Sequence, residues 1–479
     1  MYRKSAMKNK LSFLFISLLA LCLGACAKTQ PSSSVTANEV VNLEIYAFND
    51  FHGNVMDSDT GIGLSRTTSL LKSRSTQNNT IFISQGDMWQ GSAESNITRG
   101  ALVTDWMNQN NFVSMSLGNH EFDWGEDPIK ENVKNANFPF LAINVYNHAT
   151  NQPVTYCQPS VVVEKNGAKI GIIGAIGDCY SSISASRVRD IYFKVGDELT
   201  ALVKKEAKKL KEAGCDMVIY AIHDDDSAYD VSLSDGFVDL VLEGHTHQNY
   251  VRTDSKGVYH IQGGGYNKTI PYINLDINTK TDKITVNQAK ALRTNDYNRL
   301  MKDEETEKLF TKYDSLIGQV REPLGTNAVR RDSAYLRQLV ANLYLMKGEE
   351  KWGASYNLFL GGGYVSCRSP YYLPKGEVSY ADIYNLFPFD NDLVLCSISG
   401  YYLSKQFVLT ENENYFVSYT NYGEANKNSI DNNTTYYIIA DTYSSDYAPN
   451  HLSVIAKYSE EGYYARDMLK EYLIAGGFN

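Results

Sequence analysis

From Val41 to about Val286, short apolar runs alternate with longer stretches whose apolar positions recur at helical spacing. Leu43 to Phe48, Thr80 to Ser84, Phe112 to Leu117, Phe140 to Val145, Lys169 to Ala175, Met217 to Ile222 and Val238 to Leu242 each read as buried strands. Glu198 to Ala213 reads as an amphipathic helix that stops at Gly214 and leads directly into the strand before His223. The alternation predicts a layered α/β domain over residues 41–300. Pro271 to Arg293 alternates like a pair of exposed antiparallel strands.

Asp303 to Val320 reads as a charged helix, with Leu309, Phe310, Tyr313, Leu316 and Ile317 at helical spacing, and residues 301–321 are expected to link two domains. Beyond Arg321 the texture changes. Tyr and Asn become frequent, a Gly361-Gly362-Gly363 triplet suggests a tight turn, and Asn391 to Ile398 and Thr435 to Ala440 read as strands. A second domain is expected over 322–479. A chain of 479 residues is long for one core, which agrees with two domains. Hydrophobic residues at 43% and charged residues at 21% provide enough apolar material to fill both.

The N-terminus reads as an address. Arg3, Lys4, Lys8 and Lys10 precede an apolar run from Leu11 to Leu23, and Leu23-Gly24-Ala25-Cys26 closes it. That run is short for a span, which needs about 20 apolar residues. The pattern resembles a bacterial lipoprotein signal, with 1–25 removed, a lipid on Cys26 and residues 26–40 as a flexible tether. An ordinary secretory signal cut nearby is the alternative. With the lipid, the expected location is the cell envelope, anchored to a bacterial membrane on its periplasmic or cell-surface side.

Removing residues 1–25 takes away four positive charges and no negative ones, so the formal charge moves from -10 to -14. Binding to a nucleic-acid polymer by bulk electrostatics is therefore not expected. Cys157, Cys179, Cys215, Cys367 and Cys396 match neither a zinc motif nor a disulfide scaffold, and most of them read as small buried hydrophobes. A monomer or dimer is expected.

Five of the eight histidines fall in phrases that each end a predicted strand: Asp50-Phe51-His52, Gly118-Asn119-His120-Glu121-Phe122-Asp123, His223, and Gly244-His245-Thr246-His247. Strand ends converge on one crevice in α/β sheets, so these side chains can meet. Asp50 and His52 offer an oxygen and a nitrogen, Asp87 follows a strand and a glycine where a carboxylate can bridge two ions, and Asn119 offers an amide oxygen. His223, His245 and His247 complete a mixed donor set for two divalent ions, zinc, manganese or similar. His120 and Asp123 suit a carboxylate orienting an imidazole, which as a cation either stabilises the transition state or protonates the leaving oxygen.

Asn49-Asp50-Phe51-His52-Gly53, Gly86-Asp87, Gly118-Asn119-His120-Glu121-Phe122-Asp123 and Gly244-His245-Thr246-His247 resemble the calcineurin-like metallophosphoesterase signature in its 5'-nucleotidase version, over about residues 41 to 270. The resemblance implies a four-layer β-sandwich flanked by helices, followed by a smaller α+β substrate domain. It implies that Asp50, His52, Asp87 and His247 hold one metal, that Asp87, Asn119, His223 and His245 hold the other, and that His120 and Asp123 are the catalytic dyad. Asp224-Asp225-Asp226 departs from the small residues usual after that histidine, and reads as a solvated acidic loop unless one of the three reaches the metals. His148, His260 and His451 fall outside the pattern.

Residues 322–479 resemble the family's nucleoside-binding domain more loosely. Phe389 and Asn391, in Phe387-Pro388-Phe389-Asp390-Asn391, match the phrase whose ring stacks on the base, and Tyr443 stands where the second ring is expected. Arg331, Arg337 and Arg368 are the candidate phosphate grips, and Asp446 the candidate ribose partner. The family's arginine usually stands closer to the glycine triplet than Arg368 does, and its Gly-Gly-Asp-Gly phrase is absent. The resemblance implies hydrolysis of nucleoside 5'-monophosphates. A 2',3'-cyclic nucleotide or a nucleotide sugar is an alternative substrate, and a nucleoside-binding lipoprotein without catalysis is the non-enzymatic alternative.

Overall fold

In the second half of the first strand, Val40–Phe48, both faces are buried, which explains why Ile45 to Phe48 is apolar without a break: Ile45 points into one core and Tyr46 into another. The computed structural model describes residues 39–59, 61–75, 79–225, 236–368, 370–406, 415–447 and 451–479. The expected signal peptide, all of the tether up to residue 38, and Asp226 lie outside them. Among the described residues no helix is long and apolar enough to cross a membrane.

Two six-stranded sheets face one another. The first runs Lys283–Arg293, Thr269–Asn278, Val40–Phe48, Thr80–Ser84, Ser114–Ser116, Phe140–Leu141, and the last four are parallel. The second runs Tyr250–Thr253, Tyr259–Gln262, Leu240–Leu242, Met217–His223, Ala168–Ile176, Ser160–Lys165, again with a parallel centre. Ile45, Ile83, Ile172, Ile219 and Leu242 fill the space between them. Helices Leu64–Arg74, Ala101–Gln109 and Glu126–Asn135 cover the outer face of the first sheet through Leu70, Trp106 and Ile129. Helix Asp197–Glu212 covers the second through Leu199, Val203 and Leu210. The result is four layers, helix on sheet on sheet on helix, with the carboxyl ends of the parallel strands at one rim.

Three expectations change. Phe140 to Val145 is not one strand but Phe140–Leu141 and Val145–Asn147. Asn144 turns the chain between them: its amide donates to the carbonyls of Ile176 (2.6 Å) and Lys194 (2.9 Å), and its oxygen accepts the Ile176 N–H (3.1 Å). Thr269–Asn278 is not an exposed strand, because it pairs antiparallel with Val40–Phe48 and lies largely buried, leaving only Lys283–Arg293 at the edge. The charged helix is two helices, Glu304–Thr311 and Asp314–Arg321, broken where the Tyr313 hydroxyl donates to Asp105 (2.7 Å).

The C-terminal portion builds on its own core. A five-stranded sheet runs Tyr415–Tyr419, Leu358–Tyr364, Thr435–Asp441, Leu393–Ser399, Ser453–Lys457, and helix Ser333–Trp352 packs on it through Leu336, Val340 and Leu343. The glycine triplet lies inside strand Leu358–Tyr364 rather than in a turn. Cys179, Cys215, Cys367 and Cys396 are buried free thiols, and Cys157 is half-buried.

Candidate active site

Asp50, His52, Asp87, His245 and His247 all have positive φ, between +48° and +74°. Such angles are uncommon away from glycine and persist where surrounding structure enforces them. What enforces them is a tight meeting of loops at the rim. A Cβ on Gly86 would stand 2.4 Å from the Gly118 nitrogen, and one on Gly118 would stand 2.2 Å from Asp87 Oδ1. Only glycines let the two loops approach this closely.

Glu121 ties the same loops together. Its buried carboxylate accepts N–H groups from Asp87, Met88 and Gly118, each at 2.8 Å. Burial, and then Asp87, push this carboxyl up to about 7, against the pull of the amides. Sequence reading left Glu121 without a role, and its only signal was its place between His120 and Asp123.

The donors gather in two groups. In each of Asp50, His52, His247 and Asp87, His223, His245, the ligand atoms lie within 4.8 Å of one another. The Nδ1–H of His52 donates to the Gln90 carbonyl (2.9 Å) and that of His223 to the Gln85 carbonyl (2.7 Å), so each ring turns Nε2 inward. His52 Nε2 then faces His247 Nε2 at 3.0 Å. Asn119 Oδ1 lies 3.1 Å from His223 Nε2 and 3.0 Å from His245 Nδ1. Asp87 Oδ2 stands between the groups, 3.2 Å from His223 Nε2 and 3.9 Å from His52 Nε2.

This donor chemistry fits divalent cations. Lone pairs of buried imidazoles and carboxylates point at one another, which is stable only with positive charge between them. Burial, with His247 next, holds His52 well below the usual histidine range, and burial with His223 takes His245 down to about 4, so both rings offer lone pairs. Against burial, Asp87 pushes His223 up to about 10, so the second group also calls for positive charge.

Beside the donors, the short turn His120–Phe122 sets His120 and Asp123 three residues apart, and His120 Nδ1 donates to Asp123 Oδ2 at 2.8 Å. Burial lowers the His120 pKa, but Asp123 and then Asp87 outweigh it and raise it above the ordinary value. Arg368 Nη2 comes within 3.3 Å of His120 Nε2, and its guanidinium lies 5.0 Å from the centre of the Phe389 ring.

These groups line a cleft of about 250 Å³ together with Arg187, Tyr364, Phe389, Asn391 and Tyr443. The Tyr443 ring packs on Tyr364 at 5.6 Å.

Three expected substrate residues lie elsewhere. Arg331 lies over the Tyr335 ring at 4.6 Å and Arg337 over Phe416 at 4.6 Å, and neither lines the cleft. Asp446 accepts the Ser184 hydroxyl at 2.5 Å, so it bridges to the N-terminal portion instead of facing the cleft. The Asp224 carboxylate accepts the Asp178 N–H at 3.1 Å, and Asp224 is not among the residues that line the cleft. Tyr266, also unforeseen, lays its ring against His52 at 4.9 Å.

Residues 43–249 match the calcineurin-like phosphoesterase family. The chain carries a calcineurin-like phosphoesterase domain. The chain with this phosphoesterase domain is 24% identical to Protein UshA of Yersinia enterocolitica, across 78% of this chain and 77% of that protein. It is also 24% identical to Endonuclease YhcR of Bacillus subtilis, across 83% of this chain but only 35% of YhcR, so it spans about a third of that relative's length. The fold is that of the 5'-nucleotidase precursor from Thermus thermophilus, with a TM-score of 0.70 at 18% identity over 91% of this chain and 96% of that one. The phosphoesterase domain thus supplies the metal-binding half of the cleft, and the C-terminal portion supplies Arg368 and the aromatic wall.

Proposed function

We propose that the protein is a two-metal phosphomonoesterase of the cell envelope that hydrolyses nucleoside 5'-monophosphates to nucleoside and phosphate. One observation carries this reading: donors from both metal groups, Asp87, Asn119, His245 and His247, line a cleft with an imidazole–carboxylate pair and a guanidinium 3.3 Å from that imidazole. Asp50, His52 and His247 would hold one cation and Asn119, His223 and His245 the other, with Asp87 standing between the two groups. When bound, the cations supply Lewis acidity and neutralise charge on a phosphoryl group.

The protein's own groups do the rest. Asp123 fixes the His120 ring so that Nε2 faces the cleft, where it holds the proton that the leaving oxygen needs. Arg368 grips phosphoryl oxygens with planar paired donors, replacing its contact to His120. Phe389, Tyr364 and Tyr443 give the base flat surfaces to stack on, which tolerates different bases, and Asn391 stands at the same wall. A lipid on Cys26 keeps this chemistry at a membrane surface.

The test is hydrolysis of AMP, 2',3'-cyclic AMP, UDP-glucose and a DNA oligonucleotide by the metal-replete mature chain, with the products of each separated and quantified by chromatography. AMP turnover that chelator abolishes is expected, and faster turnover of any other member would overturn the substrate assignment. Fatty-acid labelling that disappears in Cys26→Ser tests the anchor, and an unlabelled wild type would refute it.

A further inference from the structure

Every carboxylate that lines the cleft is already engaged. Asp87 meets His223 at 3.2 Å, Asp123 meets His120 at 2.8 Å, and Asp390 meets Arg99 at 3.0 Å and also Arg466. Asp441 accepts the Tyr344 hydroxyl at 3.0 Å and the Ser444 N–H at 2.7 Å. Two guanidinium groups line the same cleft, those of Arg187 and Arg368. Among the described residues, neither makes an ion pair with a carboxylate, and the Arg187 side chain makes no hydrogen bond. A half-buried cation held at a cleft wall without a counter-charge is an anion site.

The two arginines reach the cleft from different parts of the chain. Arg368 stands at His120 Nε2, beside the metal donors. Arg187 closes the short turn Ala185–Arg187, and its carbonyl would lie 3.8 Å from a Cβ on Gly125, two residues past Asp123. The turn is pinned across the cleft by Asp446, which accepts the Ser184 hydroxyl at 2.5 Å and the Ser186 N–H at 3.4 Å. The charge of Arg187 also acts on Tyr464, whose neighbour Ala465 lines the cleft.

Resting on the reading of the site given above, we propose that Arg187 is a specificity-determining residue that receives a second anionic group of the substrate, on the leaving-group side of the cleaved bond. The dyad protonates the leaving oxygen, so whatever reaches beyond Asp123 belongs to the leaving group. The preferred substrate class is then a nucleotide with two phosphates: one held by the metals and Arg368, the other by Arg187. A nucleoside diphosphate and a nucleoside 3',5'-bisphosphate both present that chemistry.

Titration calorimetry on the full mature chain carrying His120→Ala, in which turnover is slowed about 10²- to 10⁴-fold, compares AMP, ADP and adenosine 3',5'-bisphosphate. One of the two-phosphate ligands should bind about tenfold more tightly than AMP, and Arg187→Ala should take most of that ratio away. Arg187→Lys, which keeps the charge but not the fork, should fall between. The ligand that shows the preference identifies where the second phosphate sits. A preference that is absent, or that persists unchanged in Arg187→Ala, overturns the proposal, while AMP hydrolysis by the wild type would leave the nucleotidase reading standing. If none of the three binds and none is hydrolysed, both fall.

Discussion

Replacing His120 with alanine should affect substrates according to how much help their leaving group needs. His120 Nδ1 donates to Asp123 at 2.8 Å with the side chains only 9% and 13% exposed, so the ring is held in one orientation in a largely dry site. General acid catalysis of this kind is worth about 10²- to 10⁴-fold. With AMP the leaving group is a nucleoside alkoxide, which needs its proton, and His120→Ala should lower kcat by that factor. With an aryl phosphate such as p-nitrophenyl phosphate, the leaving group departs as a stable anion, and the loss should be about tenfold or less. Asp123→Asn keeps the shape but removes the charge from a charge-assisted hydrogen bond, a loss of about 1.5–3 kcal/mol, or about 10- to 150-fold on AMP. Phosphate release measured with both substrates under saturation decides the matter. Equal losses on both substrates, or no effect of Asp123→Asn, would refute the assignment of the dyad to the leaving group.

Three further outcomes follow from the same geometry. Saturating the protein with a divalent cation at 100 times its Kd should raise unfolding stability by about 2.7 kcal/mol for each of the two sites, as read from denaturant curves, and Asp87→Asn should remove most of that gain. Gly118→Ala, whose methyl would stand 2.2 Å from Asp87 Oδ1, should weaken metal binding about 10- to 100-fold in a chelator competition while the circular dichroism spectrum stays native. Burial raises the Asp390 carboxyl, but Arg466 and then Arg99 outweigh it and hold it below the usual carboxylate range. Its contribution is thus fully present above the unfolded value of about 3.9 and is lost as pH falls through the lower folded value. Asp390→Asn should cost about 3–5 kcal/mol at neutral pH, and the gap to wild type in urea midpoint should narrow at the acid end.

The donors were legible because chemistry at a strand end leaves a local trace: an apolar run, then a glycine or asparagine, then Asp or His, as at Asp50, Asp87, Asn119 and His245. The layered fold was legible for a related reason, since strands buried on both faces cannot interrupt their apolar runs. Other features depend on contacts made far along the chain. Arg368 stood among the candidate grips in spite of its distance from the glycine triplet, but its contact with His120, 248 residues away, has no local trace. Asp446 is captured by Ser184 across 262 residues, which no local phrase announces. Arg331 and Arg337 carry the right charge, but aromatic neighbours, Tyr335 and Phe416, hold them away from the cleft. Glu121 escaped notice because its partners are backbone amides, and amides have no signature in the sequence.

The central claim is that seven side chains hold two cations in one cleft. A crystal of the metal-replete chain, with anomalous scattering recorded above and below the metal edge, tests it directly. Two peaks should appear, one touching Asp50, His52 and His247, the other touching Asn119, His223 and His245, with Asp87 reaching both. A single peak, or peaks away from these donors in fully active protein, would contradict the account.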